Sequence, residues 1–80
     1  MDEYVNTKKF KQELGITIRR KRHRLNLSQE DFADKSGIHR TYVSSIELGK
    51  VDIGISIAYK IAKALNTSLS KLLKEVENNI

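Results

Sequence analysis

Apolar residues recur along this chain at intervals of three and four, so its elements read as helices, and no segment makes a credible strand. Phe10, Leu14, Ile18 and Leu25 form the first stripe, with Arg22 on it and Lys21 at its edge. Gly15 interrupts that helix at an expected cost of up to about 1 kcal/mol against alanine. Asn26 tolerates the left-handed conformation and is a good stop. Ser28 opens the second helix with a hydroxyl free to cap a backbone N–H, and Glu30 and Asp31 suit its first turn. Gly37 ends it, since no Cβ opposes positive φ. The third helix is predicted from about Arg40 to Leu48, closed by Gly49 and followed by a polar loop around Lys50 and Asp52. After Gly54 a fourth helix is expected to bury Ile57, Ala58, Ile61, Ala62 and Leu65, with Ser56, Lys60 and Lys63 opposite. Ser68 can cap a fifth, whose stripe is Leu69, Leu72, Leu73 and Val76, extended one turn by Ile80.

The segment from Ser28 to Glu47 reads as a short helix, a tight turn and a second helix. Phe32 and Ala33 face inward, and Ala33 is small, as a close helix crossing requires. Ile38 plugs the turn. Steps of 100° put Val43 and Ile46 on one side of the third helix and Thr41, Ser44, Ser45 and Leu48 on the other, with Arg40 at the leading end. That outer face is too polar to be core. A helix so faced and braced on a small basic domain is fitted to enter the major groove of DNA.

The spacing of Gln29, Ala33, Gly37, Val43 and Ile46 resembles the Cro/repressor-type (XRE-like) helix-turn-helix family. The resemblance runs from about Leu14 to Leu73 and includes the run KIAKALN at Lys60–Asn66. Within the family, HRTYVSSIE at His39–Glu47 resembles the controller proteins of restriction–modification systems. The resemblance implies an all-α, five-helix, lambda-repressor-like domain that takes up residues 1–80, with the helix-turn-helix at about 28–48. It also implies a sequence-specific transcription regulator that controls its own operon and a restriction endonuclease gene. Phage-type and other small repressors share much of this pattern.

By that resemblance the third helix is the recognition helix. Arg40 is the first choice for base contact, because its planar fork can bond guanine O6 and N7 together. Thr41 can offer a methyl to thymine or a hydroxyl to a base or phosphate. Ser44 and Ser45 permit close approach and one hydrogen bond each, or merely tolerate solvent. Gln29 matches a family position that contacts a backbone phosphate, against the plainer reading of an exposed glutamine at a helix start. Tyr42 borders the buried face, so its ring packs while its hydroxyl reaches the DNA backbone, against the plainer reading that the ring only packs. His39 departs from the family, which more often has a good cap there; histidine is expected to cap poorly and to be either a DNA contact or a tolerated surface residue. Arg22 and Glu47 match positions that form a mostly buried salt bridge between the first helix and the recognition helix.

The formal net charge of +5, from 15 basic and 10 acidic residues, suits a polyanion without requiring one. Arg19, Arg20, Lys21, Arg22 and Arg24 form a dense basic run broken only at His23. They encircle the helix, so not all can face DNA, and simple solvation is expected for Arg20 and Lys21. Lys50 is the better phosphate contact. There is no cysteine, and His23 and His39 are too few for a metal cluster, so neither a metal nor a cofactor is expected. Asp2 and Glu3 begin an N-terminus without a signal-like apolar run, and nothing approaches the roughly 20 apolar residues of a membrane span. A cytoplasmic protein of bacterial or phage origin is the expectation.

One such module reads few base pairs, and 80 residues build only a small core, so a partner copy is expected. A twofold homodimer on a palindromic operator sets two recognition helices about 34 Å apart. Leu69, Leu72, Leu73, Val76 and Ile80 are the candidate dimer contacts, against the alternative that all but Ile80 pack within one subunit. RNA polymerase is a further expected partner. An antitoxin-like interaction module is the main alternative, although few residues follow the last helix to serve as a flexible toxin-binding segment. An enzyme is the weakest reading, since Ser44, Ser45 and His39 lack an orienting third group and an oxyanion site. RNA binding would lack an aromatic stacking platform on a sheet.

Overall fold

A computed structural model describes residues 5–80, so Asp2 and Glu3 lie outside the described range. Five helices follow in order: α1 (Lys8–Arg24), α2 (Gln29–Ser36), α3 (Arg40–Glu47), α4 (Ile55–Ala64) and α5 (Leu69–Asn78). No strand occurs among the described residues. The fold class is therefore all-α with five helices, as the apolar spacing predicts.

The helix ends show why the chain breaks where it does. Ser28 Oγ accepts the Asp31 N–H at 2.9 Å, while Asp31 Oδ2 accepts the Ser28 N–H at 3.2 Å. Two orphan donors are thus satisfied by one reciprocal box. Three of the C-terminal ends share a second device. Asn26, Gly49 and Asn66 all adopt positive φ, at 58°, 70° and 60°. Each sends its N–H, and the next residue's N–H, back to carbonyls of the last helical turn: Asn26 and Leu27 to His23 and Arg22, Gly49 and Lys50 to Ile46 and Ser45, Asn66 and Thr67 to Lys63 and Ala62. This double bond is the Schellman arrangement, which turns the chain sharply without stranding carbonyls. Gly37 ends α2 at φ 72°.

Helix α1 packs on α3 and α5, α2 on α3 and α4, and α4 on α5. The α3 helix is thereby braced from two sides. Leu14, Ile18, Phe32, Val43, Ile46, Ile61, Leu72 and Val76 meet in one core. Ile57, expected inside, is only half-buried, and Ala64 takes up core space beside Ala62 and Leu65.

Gly15 proves to be a contact point. A Cβ there would come within 2.6 Å of the Ile46 carbonyl oxygen and closer still to that of Glu47. The missing side chain lets the α1 backbone touch the end of α3, so the propensity cost expected at this position serves packing.

Two further expectations are corrected. Arg20 and Lys21 are not simply solvated: Arg20 Nη2 meets Glu75 Oε2 and Lys21 Nζ meets Glu75 Oε1, both at 2.8 Å, which ties α1 to α5. Leu72 and Val76, proposed as dimer contacts, are 1% and 0% exposed and are consumed by the subunit's own core. Their apolar stripe faces α1 and α4, leaving no side-chain surface for a partner. Leu69 and Leu73 are half-buried and Ile80 is exposed.

Candidate nucleic-acid interface

The α3 helix is anchored by Val43 and Ile46, both buried against Phe32, Ala33 and Ile38 of the preceding helix and turn. With that side fixed, its other side is set outward. Arg40 and Thr41 are exposed, Ser44 and Ser45 are half-buried, and Leu48, at the C-terminal cap, is 62% exposed. Arg40 makes no ion pair among the described residues. Lys50 follows directly, also exposed, and the Schellman bond from its N–H to the Ser45 carbonyl (3.0 Å) fixes where the chain leaves the helix.

Behind this face sits a buried polar hub. Arg22 on α1 and Glu47 on α3 are only 7% and 3% exposed. Arg22 Nε donates to Glu47 Oε2 at 2.6 Å and Nη2 to Oε1 at 2.9 Å, a bidentate fork. The remaining Arg22 nitrogen donates to the Leu27 carbonyl at 2.9 Å. Gln29 Nε2, from the start of α2, donates to Glu47 Oε1 at 3.1 Å. One carboxylate thus links three helices. No buried side-chain nitrogen or oxygen among the described residues is left without a partner. The fork aims α3 as firmly as its apolar anchors do.

Several candidate residues have duties that the chain alone did not reveal. Gln29 spends one amide hydrogen on Glu47. The Tyr42 hydroxyl donates to the Asp52 carbonyl at 3.3 Å, pinning the loop after α3, while its ring packs on the core. His39, expected to cap poorly, does cap: its Nδ1 accepts the Thr41 N–H at 3.2 Å. A histidine can do so because the neutral ring has one acceptor nitrogen. Arg19 was hidden within the basic run. It lines a cleft between α1 and α3 with Gln29, Ser44 and Leu48, so its charge lies beside the outward face. The usable signal was spacing: Arg19 precedes Arg22 by one helical turn and shares its side of α1.

Among the described residues no three His, Cys, Asp or Glu side chains approach closely enough to hold a metal ion. No described helix is long and apolar enough to cross a membrane.

Comparison with known proteins agrees with this geometry. A helix-turn-helix family profile matches residues 18–72, more than half the chain. Control protein C.SmaI of Serratia marcescens is 46% identical over 64 residues, which cover 80% of this chain and 76% of that protein. Among solved structures, the restriction–modification controller protein C.AhdI from Aeromonas hydrophila superposes with a TM-score of 0.74 at 33% identity, covering 76% of this chain and 92% of its own. The controller protein C.Esp1396I, solved as a tetramer in complex with its natural 35 base-pair operator, superposes with a TM-score of 0.79 at 28% identity, covering 86% and 91%. With the bracing, the outward polar helix and these relatives together, the chain belongs to the helix-turn-helix family and within it is similar to the controller proteins of restriction–modification systems.

Proposed function

We propose that this protein is a sequence-specific, DNA-binding transcription regulator that acts as a homodimer on a twofold operator. The observation that carries the reading is α3: a helix with two buried anchors, a carboxylate locked to α1 and α2, and an exposed Arg40 at the leading end that makes no ion pair among the described residues. Arg40 is the principal base reader, with Thr41, Ser44 and Ser45 beside it in the major groove. Lys50 and Arg19 flank the groove as phosphate contacts, and Gln29 and Tyr42 position the frame through Glu47 and Asp52. The operator complex of C.Esp1396I supports DNA as the ligand.

Homodimer contact falls to the side chains that the subunit leaves uncovered. Ile55 and Tyr59 on α4 are 71% and 54% exposed, and with Ile80, Leu69 and Leu73 they offer α4 and α5 as the joining surface. Similarity to controller proteins supports regulation of the chain's own operon together with a restriction endonuclease gene, in the cytoplasm of a bacterial or phage-infected cell. Bound beside a promoter, such a dimer would occlude RNA polymerase at one site and recruit it at another.

Selection of bound duplexes from a random pool, followed by titration against salt, tests the reading. A symmetric motif is expected, with log affinity falling linearly in log salt at about −0.9 per neutralised phosphate. Enrichment of no sequence at low ionic strength would refute it.

A further inference from the structure

His39 stands one residue before the recognition helix, and its ring orientation carries information that its position does not. Nδ1 accepts the Thr41 N–H, so that nitrogen holds no hydrogen and the neutral ring carries its hydrogen on Nε2. The residue is exposed, and among the described residues Nε2 has no partner. The capping bond pins the ring, so Nε2–H is a donor held in a fixed direction beside Arg40. Most common caps cannot do this; asparagine has both an acceptor and a donor, but its NH2 stands where the ring has Cδ2, short of Nε2. Serine and aspartate accept the backbone N–H but present no donor at that distance, and lysine presents a donor but cannot accept.

Where the leading end of a recognition helix enters the groove, the sugar–phosphate wall stands next to the base edges. We propose that His39 serves both ends of this arrangement at once: neutral, it caps α3 through Nδ1 and donates Nε2–H to a phosphate oxygen of the bound duplex. The proposal rests on the DNA-binding reading above and adds a residue-level claim to it. It also fixes a signature. A neutral donor releases no counterion, so the contact adds affinity without adding to the salt slope, unlike a lysine or arginine contact.

Two variants separate the ring's two duties. His39→Asn keeps an acceptor where Nδ1 stands, and its NH2 stops at the position of Cδ2, leaving no donor where Nε2 stands. His39→Gln places its amide near Nε2 and leaves Nδ1 unreplaced. Each is melted thermally and titrated by fluorescence anisotropy against a random-sequence duplex and against a duplex selected by the wild type. His39→Asn is expected to melt like the wild type and to lose about tenfold in affinity on both duplexes with an unchanged salt slope. His39→Gln is expected to melt lower and bind better than His39→Asn. Binding by His39→Asn within about twofold of wild type on both duplexes would overturn the proposal. So would a loss confined to the selected duplex, which means a base edge, or a shallower salt slope, which means a cation. A wild type that binds neither duplex would instead remove the DNA reading itself, and this proposal with it.

Discussion

Arg40 opens α3 and Lys50 lies three residues past its end, and in the proposed function their chemistry separates reading from holding. Replacing Arg40 with alanine removes the one arginine of α3, so the free-energy gap between selected and random duplexes should narrow by about 1–3 kcal/mol. Replacing Lys50 with alanine should weaken both duplexes alike and reduce the salt slope by about 0.9. Paired titrations read both effects. Equal losses for the Arg40 variant on the two duplexes would remove it as a reader. At this scale the chain was legible wherever a residue's duty follows from helical phase: Val43 and Ile46 inside, Thr41 outside. It was not legible where a side chain meets a partner far along the sequence. Gln29 and Glu47 are 18 positions apart, and Tyr42 reaches a carbonyl ten positions on, so their bonds depend on how the helices come together.

Between elements, a few polar clasps tie helices together beside the apolar core. Glu47→Ala would strand Arg22 in the interior, and chemical denaturation should show a loss of about 3–5 kcal/mol. A loss below about 1 kcal/mol would mean a pair that water already screens. Gly15→Ala should cost about 1–3 kcal/mol, because its Cβ meets backbone carbonyls that no rotamer change can move aside. Glu75 makes the α1–α5 clasp pH-dependent. Hydrogen bonds from Lys21 and then Arg20 hold its carboxyl below the usual carboxylate range, with burial opposing them. A lowered folded value means the stabilisation is present above the unfolded value and is lost as pH falls through the folded one. Glu75→Gln should therefore lower stability at neutral pH and flatten its decline on the acid side, which denaturant midpoints across that range would show. Helix boundaries were readable because Ser28, Gly37 and Gly49 act locally. The Glu75 clasp was not, since Arg20 and its partner lie 55 residues apart.

At the scale of the whole molecule, the proposed function divides the chain's surface between two tasks. The α3 side carries Arg40, Lys50 and the adjacent Arg19, while α4 leaves Ile55 and Tyr59 to solvent and Ile80, two residues past α5, is exposed as well. Sedimentation at micromolar concentration should give a dimer, and Ile55→Asp combined with Tyr59→Asp should give a monomer that keeps its helical circular-dichroism spectrum, since neither side chain belongs to the core, but melts lower because the partner's stabilisation is lost. A monomeric wild type both free and on DNA would exclude this surface as a joining face. Five helices could be assigned from spacing alone; which exposed apolar residues join copies could not, because α5 looks amphipathic whether its stripe meets its own subunit or another. The backbone contact at Gly15 bears on how such a protein can change its target. With α1 pressed directly against the end of α3, the proposed recognition helix has no room to tilt towards α1 while the remainder stays put. New operators must then be acquired by exchanging side chains along an unmoved axis, so grafting residues 40, 41, 44 and 45 from a relative should carry that relative's preference across intact.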